Sequence, residues 1–166
     1  EIYREAPPIP EKVVTSNGTV LFTGQNIKDG QNIWQSIGGQ EVGTVWGHGA
    51  YQAPDWTADW LHREAVYILD RLAQAEFEMT YDELNDEQQA MLRVRLQKEL
   101  RTNSYDKNTK YIVVSELRAD AIEFVASHYK GLFMNGEAQA DLREAYAIPT
   151  NSIKDADRMA LMNNFF

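Results

Sequence analysis

Few side chains in this chain are suited to acid, base or metal chemistry. There are three histidines, His48, His62 and His128, and no cysteine. His62 follows Asp59 by three residues, and His48 and Asp55 are close in sequence, so a histidine and carboxylate metal cluster can be drawn at the start of one helix. The same residues have a plainer reading. An acid in a first helical turn complements the helix dipole, and a His beside Arg63 and Glu64 suits a surface or a partner. A hydrolase built on His62 and Asp59 would need a nucleophile and a third group to orient the base; with many carboxylates present, a His and an acid fall near one another by chance. His128 lies within an apolar stretch and reads as a core-edge histidine with one hydrogen bond. Gly47-His48-Gly49 lacks the Lys-Ser/Thr ending of a phosphate loop. The acid pairs Asp82-Glu83 and Asp86-Glu87 read as solvated charges. Without Cys there is no disulfide, no thiolate metal site and no Cys nucleophile.

The elements that must position these groups are organised around a glycine-rich segment. Gly38 to Arg63, GGQEVGTVWGHGAYQAPDWTADWLHR, holds five of the ten glycines and, with Trp34 added, all four tryptophans. Gly is tolerated where φ is positive or where another backbone or group approaches closely, so this run reads as a shaped loop. Before it, Pro7, Pro8 and Pro10 form a stiff, extended entry. The segments Lys12-Val-Val-Thr-Ser and Thr19-Val-Leu-Phe-Thr flank Asn17-Gly18 and predict a β-hairpin with two positive-φ turn positions. Ile27, Trp34 and Ile37 share a helical face that ends at Gly38-Gly39.

Beyond the loop, Asp55 is the expected N-cap of a second helix reaching about Glu76, with Trp56, Trp60, Leu61, Ile68, Leu69 and Leu72 at helical spacing. Asn85-Asp86-Glu87-Gln88 resembles a capping box before Leu92, Leu96 and Leu100. A short strand, Tyr111 to Val114, feeds a helix capped by Ser115 and running from Glu116 to Leu132. Its expected inward face is Leu117, Ala121, Phe124, Val125, His128 and Leu132. Two further helical pieces, about Glu137 to Tyr146 and Ser152 onward, are separated by Pro149.

Composition narrows the functional classes. A 166-residue chain can bury roughly 70% of its unfolded surface, enough for one complete core, and residues 1–166 are expected to form one domain. Sixteen Lys plus Arg against 25 Asp plus Glu leave a formal charge of −9. That charge opposes nucleic acid and docking on anionic lipid. No run approaches the ~18 apolar residues of a membrane span, and the start lacks a signal-peptide pattern. Glu1 enters without Met, and Met159 to Phe166 ends on an apolar rise, so the expectation is a domain excised from a longer protein.

The run GHGAYQAPDW, Gly47 to Trp56, resembles the G-E-G-A-Y-x-A-P-D-L stretch that follows the haem attachment site in the cytochrome c subunit of bacterial nitric oxide reductases. The longer run GGQEVGTVWGHGAYQAPDWTADWLHREA is more similar still to the single-chain, quinol-dependent nitric oxide reductases, where that subunit is fused to the catalytic membrane part. The resemblance covers about Gly24 to Ala65. Counting back from the shared motif, the C-x-x-C-H positions fall on Gly39-Gln40-Glu41-Val42-Gly43. The lost haem c attachment site is thus Gly39, Val42 and Gly43, none of which can bind iron, and the four tryptophans are candidates to fill the vacated volume.

The resemblance implies a mainly α fold: a cytochrome c-like helical core lacking haem c, with a small added β-hairpin and extra helices. It implies a parent enzyme that reduces NO to N2O at haem b and non-haem iron in its membrane part, with electrons from quinol. This domain would cap the periplasmic or outer face without a cofactor of its own. In the two-subunit family the loop equivalent to Gly49-Ala50-Tyr51 offers a backbone carbonyl and a Tyr oxygen to a calcium bridging to the catalytic subunit. Gly49 and Tyr51 match, and His48 stands in place of the family Glu. The implied partners are the membrane-embedded part of the same chain, quinol and nitric oxide. The alternative from another class is a ligand-sensing or protein-binding ectodomain of an unrelated membrane receptor.

Overall fold

The hairpin does form, and it is part of a larger sheet. A computed structural model describes residues 8–41, 43–45 and 54–166. Strands β1 (Lys12–Thr15) and β2 (Val20–Thr23) pair antiparallel, with an irregularity between Val13 and Val14. Gly18 has φ +89°, and its N–H donates to the Thr15 carbonyl at 2.9 Å. Asn17 does not share the positive φ. The turn is therefore the three-residue type with a left-handed glycine, and the expected two-residue turn is corrected. Asn17 contributes through its side chain instead: Oδ1 accepts from Thr15 Oγ1 at 2.6 Å and from Thr19 N at 3.0 Å.

Two more strands complete the sheet, β3 (Tyr105–Asp106) and β4 (Tyr111–Val114), in the order β2-β1-β4-β3. β1 and β4 run parallel, Lys12 opposite Tyr111 through Thr15 opposite Val114. A parallel pair needs a long crossover, and three helices lie between its members in sequence. Local patterning gives no hint of that pairing.

The described residues hold six α-helices: α1 Gly24–Ser36, α2 Trp56–Phe77, α3 Asp86–Arg101, α4 Glu116–Met134, α5 Ala140–Ala145 and α6 Ala156–Asn163. The mainly α reading with a small added sheet holds. Their starts follow the capping residues. Asp55 Oδ1 accepts from Ala58 N at 3.0 Å, and Asn85 and Gln88 close a reciprocal box at 3.0 and 3.1 Å. α2 and α4 stop at the left-handed residues Glu78 and Asn135, each donating its N–H four residues back. The segment expected to be helical from about Glu137 is a single 3-10 turn followed by the short α5, and α6 begins only after its Asp155 cap. Ile153 is buried just before that cap, and its N–H donates to the Phe133 carbonyl at 3.2 Å. This bond ties the segment before α6 to the end of α4.

Ser115 joins sheet to helix. Its Oγ accepts from Arg118 N at 3.1 Å and donates to the Glu99 carboxylate of α3. Replacing Ser115 by Ala is expected to cost about 1 kcal/mol, the usual value of an N-cap, read as a lower urea midpoint with an unchanged m-value.

Two apolar clusters hold the helices together. The larger joins α1, α2, α4 and α6 through Trp34, Trp56, Trp60, Tyr129, Phe133, Met159 and Met162. The smaller, Ala73, Leu84 and Leu92, lies where α3 packs on the C-terminal half of α2. α2 spans both. Of the expected inward face of α4, Ala121, Val125 and Leu132 are fully buried, but Phe124 is 54% exposed and stacks on Tyr67 of α2 at 4.6 Å. Tyr129 and Phe133, absent from the expected face, are fully buried as well, while His128 is half-buried. No described helix is long and apolar enough to cross a membrane.

Candidate functional site

The segment that follows α1 comes to lie against tryptophan rings. Helix α1 closes with Gly38 at φ +68°, a 3-10 turn follows over Gly39–Glu41, and Gly43 has φ +154°. Thr44 then pairs with Asp55 in an isolated bridge, and Trp56 N–H donates to the Thr44 carbonyl at 2.7 Å. These bonds join the two ends of the glycine loop. Val42, Trp46, His48, Gly49 and Tyr51 lie outside the described residues.

Both described glycines of the C-x-x-C-H alignment leave no room for a side chain. A Cβ on Gly39 would sit 2.1 Å from the indole of Trp34, and one on Gly43 would sit 2.2 Å from Nε1 of Trp56. Trp56 is fully buried and Trp34 is 3% exposed. Their rings meet edge-on at 6.4 Å, and Phe133, Tyr146 and Phe166 surround Trp56 at 5.7, 5.9 and 6.2 Å. Trp60 stacks on Tyr129 at 5.3 Å. The interior behind the loop is thus an aromatic box. A c-type haem needs two thiols for its thioether bonds, and this chain has none, so its residues do not fit that group.

Asp59 and His62, from which a metal cluster or a hydrolase could be drawn, are not brought together on α2, in keeping with the plainer reading of both. Asp59 Oδ2 accepts from Arg63 Nε at 2.8 Å and from the Tyr129 hydroxyl, while His62 is exposed. Burial and the bond to Asp59 hold the Tyr129 phenol well above its ordinary range, so it remains a donor. Asp55 is engaged as a cap, and its Oδ2 accepts from Thr44 Oγ1 at 3.3 Å. Among the described residues no group of three or more His, Asp or Glu is placed to hold a metal.

His128 departs from expectation. Its Nε2 is buried and has no hydrogen-bond partner among the described residues, so the single bond anticipated there is absent. Burial lowers its pKa, the nearby Arg63 charge lowers it further, and Asp59 opposes both. The unfolded chain therefore takes up a proton at a pH where the folded chain does not. Stability is complete above the unfolded value of about 6.5 and falls as pH drops below it toward the depressed folded value. Thermal melts from pH 7.5 to 5 should show this loss, and His128→Gln should flatten it.

A buried ion pair, invisible to periodicity, sits on the other side of α2. Glu64 is 1% exposed and pairs with Arg118 of α4 at 2.7 Å. Glu64→Ala strands the guanidinium, but the Arg118 side chain is 22% exposed and can reach water. The expected loss is about 2 kcal/mol, below the range for fully buried pairs, measurable by urea unfolding.

Comparison with known proteins agrees with the geometry. No curated protein sequence matches the chain. The family model for the NorB cytochrome c-like domain of nitric oxide reductase matches residues 10–166. That span includes the hairpin, all six helices and the glycine loop. The chain therefore belongs to the family of NorB cytochrome c-like domains of nitric oxide reductase.

Proposed function

We propose that residues 1–166 are one non-catalytic domain on the periplasmic or outer face of a quinol-dependent nitric oxide reductase, capping the membrane part that reduces NO to N2O. The supporting observation is the pair of sealed glycines: Gly39 and Gly43 back directly onto Trp34 and Trp56, where a haem-bearing relative would have a thiol and an axial ligand. With Val42 they mark a former attachment site from which the redox centre has been lost. A domain without a relay cannot pass electrons from a soluble donor, and direct oxidation of quinol by the membrane part makes the relay unnecessary. The parent would hold haem b, non-haem iron and calcium.

In this reading Gly49 and Tyr51 each offer one oxygen toward a calcium shared with the membrane part. Calcium takes six to eight oxygens, so most ligands must come from that part and the domain alone should bind the ion weakly. The experiment is an assay of the complete reading frame in membranes, with NO consumption driven by a reduced quinol analogue or by reduced cytochrome c. Turnover with quinol alone supports the reading. Turnover with cytochrome c alone, or no NO consumption beside a single span and a signalling region, overturns it.

A further inference from the structure

Helix α3 is held from one side. Leu92 is fully buried in the cluster with Ala73 of α2, Arg95 pairs with Glu76 of α2 at 2.8 Å, and Glu99 accepts from Ser115. The opposite side carries Glu87, Met91, Val94, Lys98 and Arg101, all exposed, Met91 by 37% and Val94 by 51%. Their spacing alternates four residues and three, the repeat that keeps one stripe of a helix facing a partner helix. Glu87, Lys98 and Arg101 form no ion pair among the described residues. The helix dipole accounts for acids in the first turn and bases in the last. It does not account for two large apolar side chains left in water between them. From this stripe, apolar at its centre and oppositely charged at its ends, we propose that α3 docks against α3 of a second copy of this chain, the two helices antiparallel about a twofold axis.

The register follows from the spacing. A twofold axis midway between Met91 and Val94 sets Met91 of each copy against Val94 of the other. The same operation brings Glu87, four residues before Met91, to Lys98 of the other copy, four residues after Val94. Each contact therefore occurs twice, as an isologous interface requires. A parallel pairing would set acids on acids and bases on bases, so charge selects the antiparallel one. The chain's formal charge of −9 opposes self-association at long range, but salt screens distant charges more than those in contact. One helix face per copy reaches at most the small end of specific interfaces, about 1,200 Å² in total, so the dimer is weak and exchanges with monomer. This inference is independent of the reductase reading, since it uses α3 alone.

The test is sedimentation equilibrium of the 166-residue chain, loaded from about 10 μM to 1 mM, the span of weak dissociation constants. The average mass should rise toward that of a dimer across this range. Val94→Asp should weaken association at least about tenfold, because it places an unpaired charge at the centre of the contact. Glu87→Lys and Lys98→Glu should each weaken it as well, since each sets like charges opposite one another across the axis. Mixing these two variants in equal amounts should restore association, because each then meets the opposite charge on its partner. A folding defect would not be rescued by mixing, and all three positions are exposed, so circular dichroism melts should stay cooperative. A mass that remains monomeric at the highest loading overturns the proposal. So does a dimer that survives Val94→Asp, or a mixture that associates no better than either charge variant alone; both would put the contact on another face.

Discussion

Trp56→Ala is expected to cost the domain about 3–5 kcal/mol, the usual range for emptying a buried large aromatic position. Most of a domain's net stability is of that size, so the variant should be largely unfolded at 37 °C. The reason lies in its contacts. Trp56 is fully buried and sits among Trp34, Tyr129, Phe133, Tyr146 and Phe166, contributed by α1, α4, the end of α5 and the C-terminus. It is also the first residue of α2, and its N–H anchors Thr44, so the side chain fixes the glycine loop to the core. Urea unfolding followed by near-ultraviolet circular dichroism gives the value. A loss under about 1 kcal/mol would show that the box collapses around the cavity and that its packing is not specific.

Gly43→His should be equally damaging, by overfilling. The first side-chain atom alone would lie 2.2 Å from Trp56 Nε1 and 2.6 Å from its ring. Inserting atoms into a packed interior costs about 1–3 kcal/mol when neighbours can yield. Here the neighbour is a rigid indole enclosed on several sides, so the upper end or more is expected. The same overlap predicts that Gly39→Cys, Val42→Cys and Gly43→His combined will not mature into a haem protein, because Trp34 and Trp56 already occupy the ground behind positions 39 and 43. Haem staining after co-expression with a c-type maturation system is the readout. A folded, covalently haem-loaded triple variant would sink the idea that the tryptophans close the site. A double-mutant cycle between Gly43→His and Trp56→Ala gives a second check. The two should couple favourably by on the order of 0.5–3 kcal/mol, as contacting residues do.

Much of the architecture is legible in the sequence because its signals are local. Asp55, Asn85 and Ser115 name the helix starts through the short-range geometry of an N-cap, and each caps where the sequence places it. The Asn17-Gly18 pair names the hairpin, though the order of its φ values depends on how Thr15 and Thr19 meet across the turn. The candidate chemistry is less legible. Asp59 looks available to His62 from spacing alone, yet Tyr129, seventy residues on, takes its carboxylate together with Arg63. Phe124 looks interior because it is apolar, but α4 turns Val125 and Tyr129 inward and leaves Phe124 stacked on Tyr67 at the rim. Hydrophobicity alone cannot choose between two adjacent stripes of one helix when both are apolar.

What the sequence by itself determined is therefore what each short segment prefers. It sets the helix starts, the turn, the absence of any thiol to hold a haem, and the glycine and tryptophan run whose wording resembles the nitric oxide reductases. The tertiary structure decided which distant groups meet. It set β1 beside β4 in parallel, paired buried Glu64 with Arg118, left His128 Nε2 without a partner among the described residues, and laid Trp34 and Trp56 against Gly39 and Gly43. The physical reason is that capping and turn geometry act within a few residues of chain. Burial, charge pairing and steric exclusion act between surfaces that become neighbours only when the helices pack.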